Sequence, residues 1–158
     1  MATITKKNGL GNNLGSTPWG NLSMLHFALL TSAVGAAVSA DSATPLKNGD
    51  VVQLGVLPAG MTLTDSAVVV SLGMTATVTG KLGFAYTDGV DDAKVPQDDD
   101  YFGAGLALAT PARLRNATAN APVTLPKDAW LTLTIGTADN AKASRIDVLI
   151  PSITSGTA

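Results

Sequence analysis

The sequence predicts an all-β protein, a single β-sandwich or jelly-roll-like barrel with an extended N-terminal arm. Three observations predict it. All twelve acidic residues are Asp, which prefers turns and caps, whereas Glu favours helices. A period-two alternation runs from Met74 to Tyr86: Ala76, Val78, Gly80, Leu82, Phe84 and Tyr86 fall on one face, and Thr75, Thr77, Thr79, Lys81, Gly83 and Ala85 on the other. Six to eight short apolar runs are spaced by turn residues across a chain of 158 residues, enough for one domain with a real core.

In chain order, residues 1–20 form a Gly/Asn-rich arm with no helical or strand period, and 21–158 form the β-domain. Alone, such an arm is expected to be disordered, and a neighbouring subunit is the simplest thing to order it. Residues 22–31 (LSMLHFALLT) are apolar enough for a helix; strand is preferred in this β-rich setting. Residues 24–40 mimic a signal peptide ending at Val38-Ser39-Ala40, but His26 interrupts the run and its charged approach is thin, so retention is expected. Thr31, Ser32, Gly35 and Ser39 dilute the same stretch as a membrane span.

Asp50–Val56 reads as a strand ended by the turn Leu57-Pro58-Ala59-Gly60. Ser66–Leu72 is a continuous apolar run of the kind buried on both faces. In the alternating segment 74–86, Gly80 and Gly83 mark a bulge or bend. Thr87–Asp100 is an acidic loop, Tyr101–Thr110 a strand, and Pro111, Pro122 and Pro126 divide the following stretch into turns and edge segments. Ala129–Ile135 alternates, and Ser144–Ile150 forms a closing strand that Pro151 ends.

Composition narrows function by subtraction. Ten basic residues against twelve acidic give a net charge of −2, so there is no basic stripe to neutralise phosphates and no nucleic-acid partner is expected. The absence of cysteine excludes disulfides and thiolate metal sites. With no Glu, no Cys and one His, the residues of general acid–base and nucleophilic chemistry are nearly missing, so no enzyme and no cofactor are expected. His26 reads as a packing or interface residue. Trp19, Leu22, Leu25, His26 and Phe27 together are the candidate interface residues. Asp91, Asp92, Asp98, Asp99 and Asp100 form a weak calcium candidate; they lack EF-hand spacing and its bidentate Glu, and a solvated loop explains them more simply. The segment Gly9–Gly15 misses the dinucleotide-binding fingerprint and reads as flexible arm. A surface this poor in charge suits contact between subunits.

The run Asn48-Gly49-Asp50-Val51-Val52-Gln53-Leu54-Gly55-Val56-Leu57-Pro58-Ala59-Gly60, followed by Asp65–Val70, Lys81-Leu82-Gly83-Phe84 and the polar loop Asp88–Asp92, resembles head proteins of tailed bacteriophages of the decoration or cement class. The likeness spans roughly residues 22–109, with an echo in 144–150; the Gly/Asn-rich arm departs from it. The resemblance implies a β-sandwich on the outer surface of the virion capsid, partnered by the major capsid protein and by neighbouring copies of itself. A phage tail, fibre or spike component with a receptor- or carbohydrate-binding face is the alternative; it asks for exposed aromatics, for which Tyr101 and Phe102 are the candidates.

Overall fold

A computed structural model describes residues 1–5 and 22–154. Its eleven strands, with no helix among those residues, are β1 (Thr3–Thr5), β2 (Leu22–Thr31), β3 (Val51–Leu57), β4 (Met61–Leu63), β5 (Ala67–Leu72), β6 (Thr79–Tyr86), β7 (Asp98–Ala107), β8 (Ala112–Arg115), β9 (Val123–Thr124), β10 (Ala129–Gly136) and β11 (Ser144–Thr154). They form two sheets. The first has the order β1-β3-β10-β6-β7. In the second, β11 is the spine: β2 lies along one side, β5 and then β4 along the other, and β8 and β9 extend these outward. The expected all-β sandwich is the observed fold.

The core lies between the sheets. Val52, Leu54 and Leu57 of β3, Leu82, Phe84 and Tyr86 of β6, and Leu131, Leu133 and Ile135 of β10 meet Leu25, Phe27 and Leu29 of β2 and Ile146, Val148 and Ile150 of β11. Alternation works strand by strand, because successive side chains point to opposite faces. In β3 it is reset. Leu131 pairs with Gly55 but Thr132 pairs with Gln53, so one extra residue bulges out at Leu54. The bulge moves the inward set from 52 and 54 to 57 and leaves Val56 on the outside.

Several expectations change. The alternation beginning at Met74 is strand only from Thr79; residues 75–77 turn instead, with Thr77 at φ 69°. Met74 is buried, and its N–H donates to the Leu108 carbonyl at 2.8 Å. Residues 67–70 of β5 are buried on one face, not two, since Ala67 and Val69 are half-exposed. Pro151 does not end β11, which continues to Thr154. Leu149 pairs with Ala67 of β5 and Ser152 with Leu63 of β4, so Pro151 falls where the neighbour changes, and its missing N–H forfeits no ladder bond on that side. Asp98–Asp100 belong to β7 rather than to the loop. The stretch that resembled a signal peptide is built into the domain through Leu25, Phe27, Leu29, Ala36 and Ala37.

The start of the chain also departs from a free arm. β1 pairs in parallel with β3, Thr3 to Val51 through Thr5 to Gln53, and Ile4 is in the core. The buried Asp50 carboxylate accepts the N–H groups of Ala2 and Lys47, both at 2.9 Å, and Asp41 closes the outer edge by exchanging bonds with Thr5. The Gly9–Gly15 segment and Trp19 lie outside the described residues.

Three connections are tied together by Asn140, which is 0 % exposed. Its Oδ1 accepts the Thr75 N–H at 3.0 Å and the Thr75 hydroxyl at 3.2 Å. Its Nδ2 donates to the Thr31 hydroxyl at 3.1 Å and to the Lys142 carbonyl at 3.0 Å. Gly35 passes so close that a Cβ there would lie 2.1 Å from the Asn140 carbonyl oxygen, and it adopts φ +86°. Only glycine fits that turn.

Candidate interaction surfaces

The β6–β7 connection concentrates acid. Asp88, Asp91 and Asp92 lie in the loop, and Asp98, Asp99 and Asp100 begin β7. The two groups are not brought to one point. Asp91 Oδ1 accepts the N–H groups of Asp92 and Gln97, and Asp92 Oδ1 those of Lys94 and Val95, so both carboxylates shape the loop. The Val95 and Lys94 amides hold the Asp92 carboxyl below its ordinary range. Asp98, Asp99 and Asp100 do converge, each with an oxygen within 4.8 Å of the others. A hydrogen bond shared with the Asp98 carboxyl pushes the Asp100 carboxyl up, while Lys81 Nζ lies 3.2 Å from Asp99 and supplies a local cation. Three neighbouring carboxylates with short reach offer oxygen ligands, but too few to fill a calcium shell without water or backbone donors.

The close approach of β7 to β6 depends on Gly83, because a Cβ there would lie 2.0 Å from the Asp98 carbonyl oxygen. The expected bend appears as register shifts between Gly80 and Leu82 and between Leu82 and Phe84. Beneath the acidic segment, Phe84, Tyr101, Pro96, Asn120 and Val123 line a cavity of about 330 Å³. The loop tip is braced by Lys127, whose Nζ donates to Asp88 Oδ2 at 2.7 Å and to the Val90 carbonyl. The bond from Lys127 lowers the Asp88 carboxyl pKa. The tip itself presents Val90, 61 % exposed.

The outer face of the second sheet is the other feature. Leu22, Met24, His26, Ala28 and Leu30 point outward from β2 and register with Ile153, Pro151, Leu149, Asp147 and Arg145 of β11. Leu22 and Met24 are 65 % and 62 % exposed. Leu25 and Phe27, expected at an interface, are instead core residues of the domain; strand parity sends them inward. His26 is exposed, and its Nε2 donates to Asp147 Oδ1 at 2.9 Å. Asp147 also accepts from Arg145 Nε at 2.9 Å, and that bond, ahead of the histidine's, lowers the Asp147 carboxyl pKa. No serine or threonine hydroxyl among the described residues hydrogen-bonds His26.

The same face gathers all three arginines of the chain, Arg113, Arg115 and Arg145. Register explains it: Arg115 stands opposite Ala67 and Arg113 opposite Val69 on β5, and those residues stand opposite Leu149 and Asp147 of β11. Met24, Ala67, Val69, Leu149 and Pro151 form the floor of a groove of about 180 Å³, with Arg113 and Arg115 on its rim. Composition signals none of this, since the five floor residues come from three strands up to 127 positions apart (151 minus 24). Tyr101 and Phe102, the candidates for the exposed aromatics that a receptor-binding face asks for, are buried.

No protein-family model matches the chain, and no curated protein matches its sequence. Solved structures do match its fold. A chain from the capsid of Ralstonia phage GP4 is similar at a TM-score of 0.65, with 14% identity over 98% of this chain and 99% of that one. A chain from the capsid asymmetric unit of cyanophage Pam1 is similar at 0.59, with 12% identity over 89% and 90%. At these identities the likeness establishes a shared fold: this chain has the architecture of a β-sandwich found in phage capsids.

Proposed function

We propose that this chain is a structural virion protein that decorates the outside of a phage capsid and stabilises it by bridging major capsid protein subunits. The observation that carries the reading is the near end-to-end fold match to a chain in the Ralstonia phage GP4 capsid, 98% against 99% of the two lengths. The surface supports it: an apolar sheet face bearing the arginines, residue types enriched in interface cores and hot spots. The composition supports it as well, since with no Glu, no Cys and one His the residues of general acid–base and nucleophilic chemistry are nearly missing from the chain. A receptor-binding tail or spike role is less well supported, since it asks for exposed rings and Tyr101 and Phe102 lie in the core.

The mechanism is linkage. A protein that binds the assembled lattice and not its free subunits stabilises the lattice by RT ln(1 + [L]/Kd) per site, and many symmetric sites multiply a small term. The test is to add the purified chain to expanded shells of the same phage's major capsid protein that lack it. Saturable co-sedimentation and a higher shell disruption temperature are expected. Shells that neither bind the chain nor gain stability overturn the reading.

A further inference from the structure

We propose that copies of this chain associate head to tail, the Val90 tip of one inserting into the arginine-rimmed groove on the second sheet of the next. The two surfaces are complementary in shape and charge. The groove offers an apolar floor of Met24, Ala67, Val69, Leu149 and Pro151 in about 180 Å³, room for one small aliphatic side chain. Val90 is such a side chain, exposed on a loop that Lys127 and the Asp88 carboxylate hold in shape. A braced loop loses little conformational freedom when it docks.

Charge selects the orientation. Around the Val90 tip, Asp88, Asp91 and Asp92 stand against Lys94 and Lys127, a balance of −1, and Asp98, Asp99 and Asp100 with Lys81 carry the acidic surface on along β7. On the groove rim, Arg113 makes no ion pair among the described residues, and Arg115 has only a loose one with Asp65 at 3.7 Å. Both guanidiniums therefore have donors to give to incoming carboxylates. A two-fold pairing of the groove face with itself would set arginine against arginine, which like-charge repulsion opposes. The loop follows β6 of the first sheet, whereas the groove opens on the outward face of the second, so the contact needs another copy. Each copy then has one unused loop and one unused groove, and the contact repeats into a ring or a chain.

This contact does not depend on the capsid reading and is measured on the chain alone, by sedimentation velocity up to about 1 mM. Reversible self-association that weakens as salt rises is expected. The exposed-site variants Arg113→Glu with Arg115→Glu, and Val90→Asn, are each expected to weaken it about tenfold or more. Mixing the two variants pairs the intact loop of one with the intact groove of the other, so the mixture forms dimers that do not extend. Circular dichroism confirms that both variants are folded. A wild-type chain that stays monomeric, a variant that assembles like wild type, or a mixture that forms no dimers overturns the proposal. Shell binding, assayed separately, is untouched by any of these outcomes.

Discussion

Replacing Asn140 with alanine removes the side chain on which the turn at 75–77 and the β10–β11 connection both depend. Its Oδ1 is the acceptor for the Thr75 N–H and hydroxyl, and its Nδ2 is a donor to Thr31 and Lys142, all at a fully buried position. The consequences differ from bond to bond. Thr31 keeps a partner in Ser144, and the Lys142 carbonyl keeps the Thr31 hydroxyl. The Thr75 N–H keeps none among the bonds described. One orphaned N–H costs about 1–3 kcal/mol, and the three other lost bonds, two of whose partners keep another bond, about 0.5 kcal/mol each, for a total of about 3 kcal/mol. For a domain of this size that lowers the melting temperature by about 6–12 °C. Thermal unfolding followed by circular dichroism measures it. Asn140→Asp serves as the control, because it retains the acceptor for Thr75 but places a carboxylate where burial raises its pKa. A group whose folded pKa is raised contributes stability at low pH and loses it as pH rises, so that variant is expected to approach wild type only in acid. A drop of less than about 2 °C for Asn140→Ala would refute the role assigned to this residue.

Ile4→Ala empties a core position on β1 and is expected to cost about 2 kcal/mol in the same unfolding assay, at the low end for an edge strand; a free arm would show no loss. Gly83→Ala puts a Cβ against the Asp98 carbonyl and must displace the start of β7, so amide exchange is expected to quicken across 98–102 while β2 and β11 stay protected. The Asp92 carboxyl, lowered by the amides of Val95 and Lys94, stabilises the loop above its unfolded pKa and loses that effect as pH falls through the folded value. Protection of the Lys94 and Val95 amides, taken relative to their intrinsic exchange rate at each pH, should therefore fall below about pH 4. Asp100, raised by Asp98, acts with the opposite sign and eases β7 in acid. Calcium or a chelator is expected to leave the melting temperature unchanged within about 1 °C, since Lys81 already sits on Asp99; a chelator-sensitive melt would establish a cation at Asp98–Asp100.

What was legible in the chain follows from the range of the interaction that decides it. The eight residues of β6 show their alternation because each inward residue meets the same core. Met74 to Val78 share the pattern but not the strand, because a turn at Thr77 buries Met74 and Val78 separately, and period alone does not distinguish the two. Leu22 and Leu25 look equally apolar, yet parity in β2 exposes one and buries the other, and parity is set by pairing with β11 far along the chain. The bulge at Leu54 and the continuation of β11 through Pro151 are likewise decisions of neighbouring strands. The groove was the least visible feature. Its arginines and its floor become neighbours only through the register of β5 with both β8 and β11.

That register also governs when the molecule can fold. The spine of the second sheet, β11, is the last of the eleven described strands to be synthesised, and β2, which lies along almost its whole length, is among the first of them. His26 meets Asp147 across 121 positions. At about 5–20 residues per second a ribosome leaves β2 without its partner for about 6–24 s. Through that interval Leu25, Phe27 and Leu29 have no sheet to enter, so nascent chains carry a long apolar strand in search of a complement. Topologies dominated by such distant pairings fold slowly. A chain cut before Ser144 loses the spine common to β2, β4 and β5, so the β5–β8 and β4–β9 pairs and β2 are joined into one sheet only when β11 arrives.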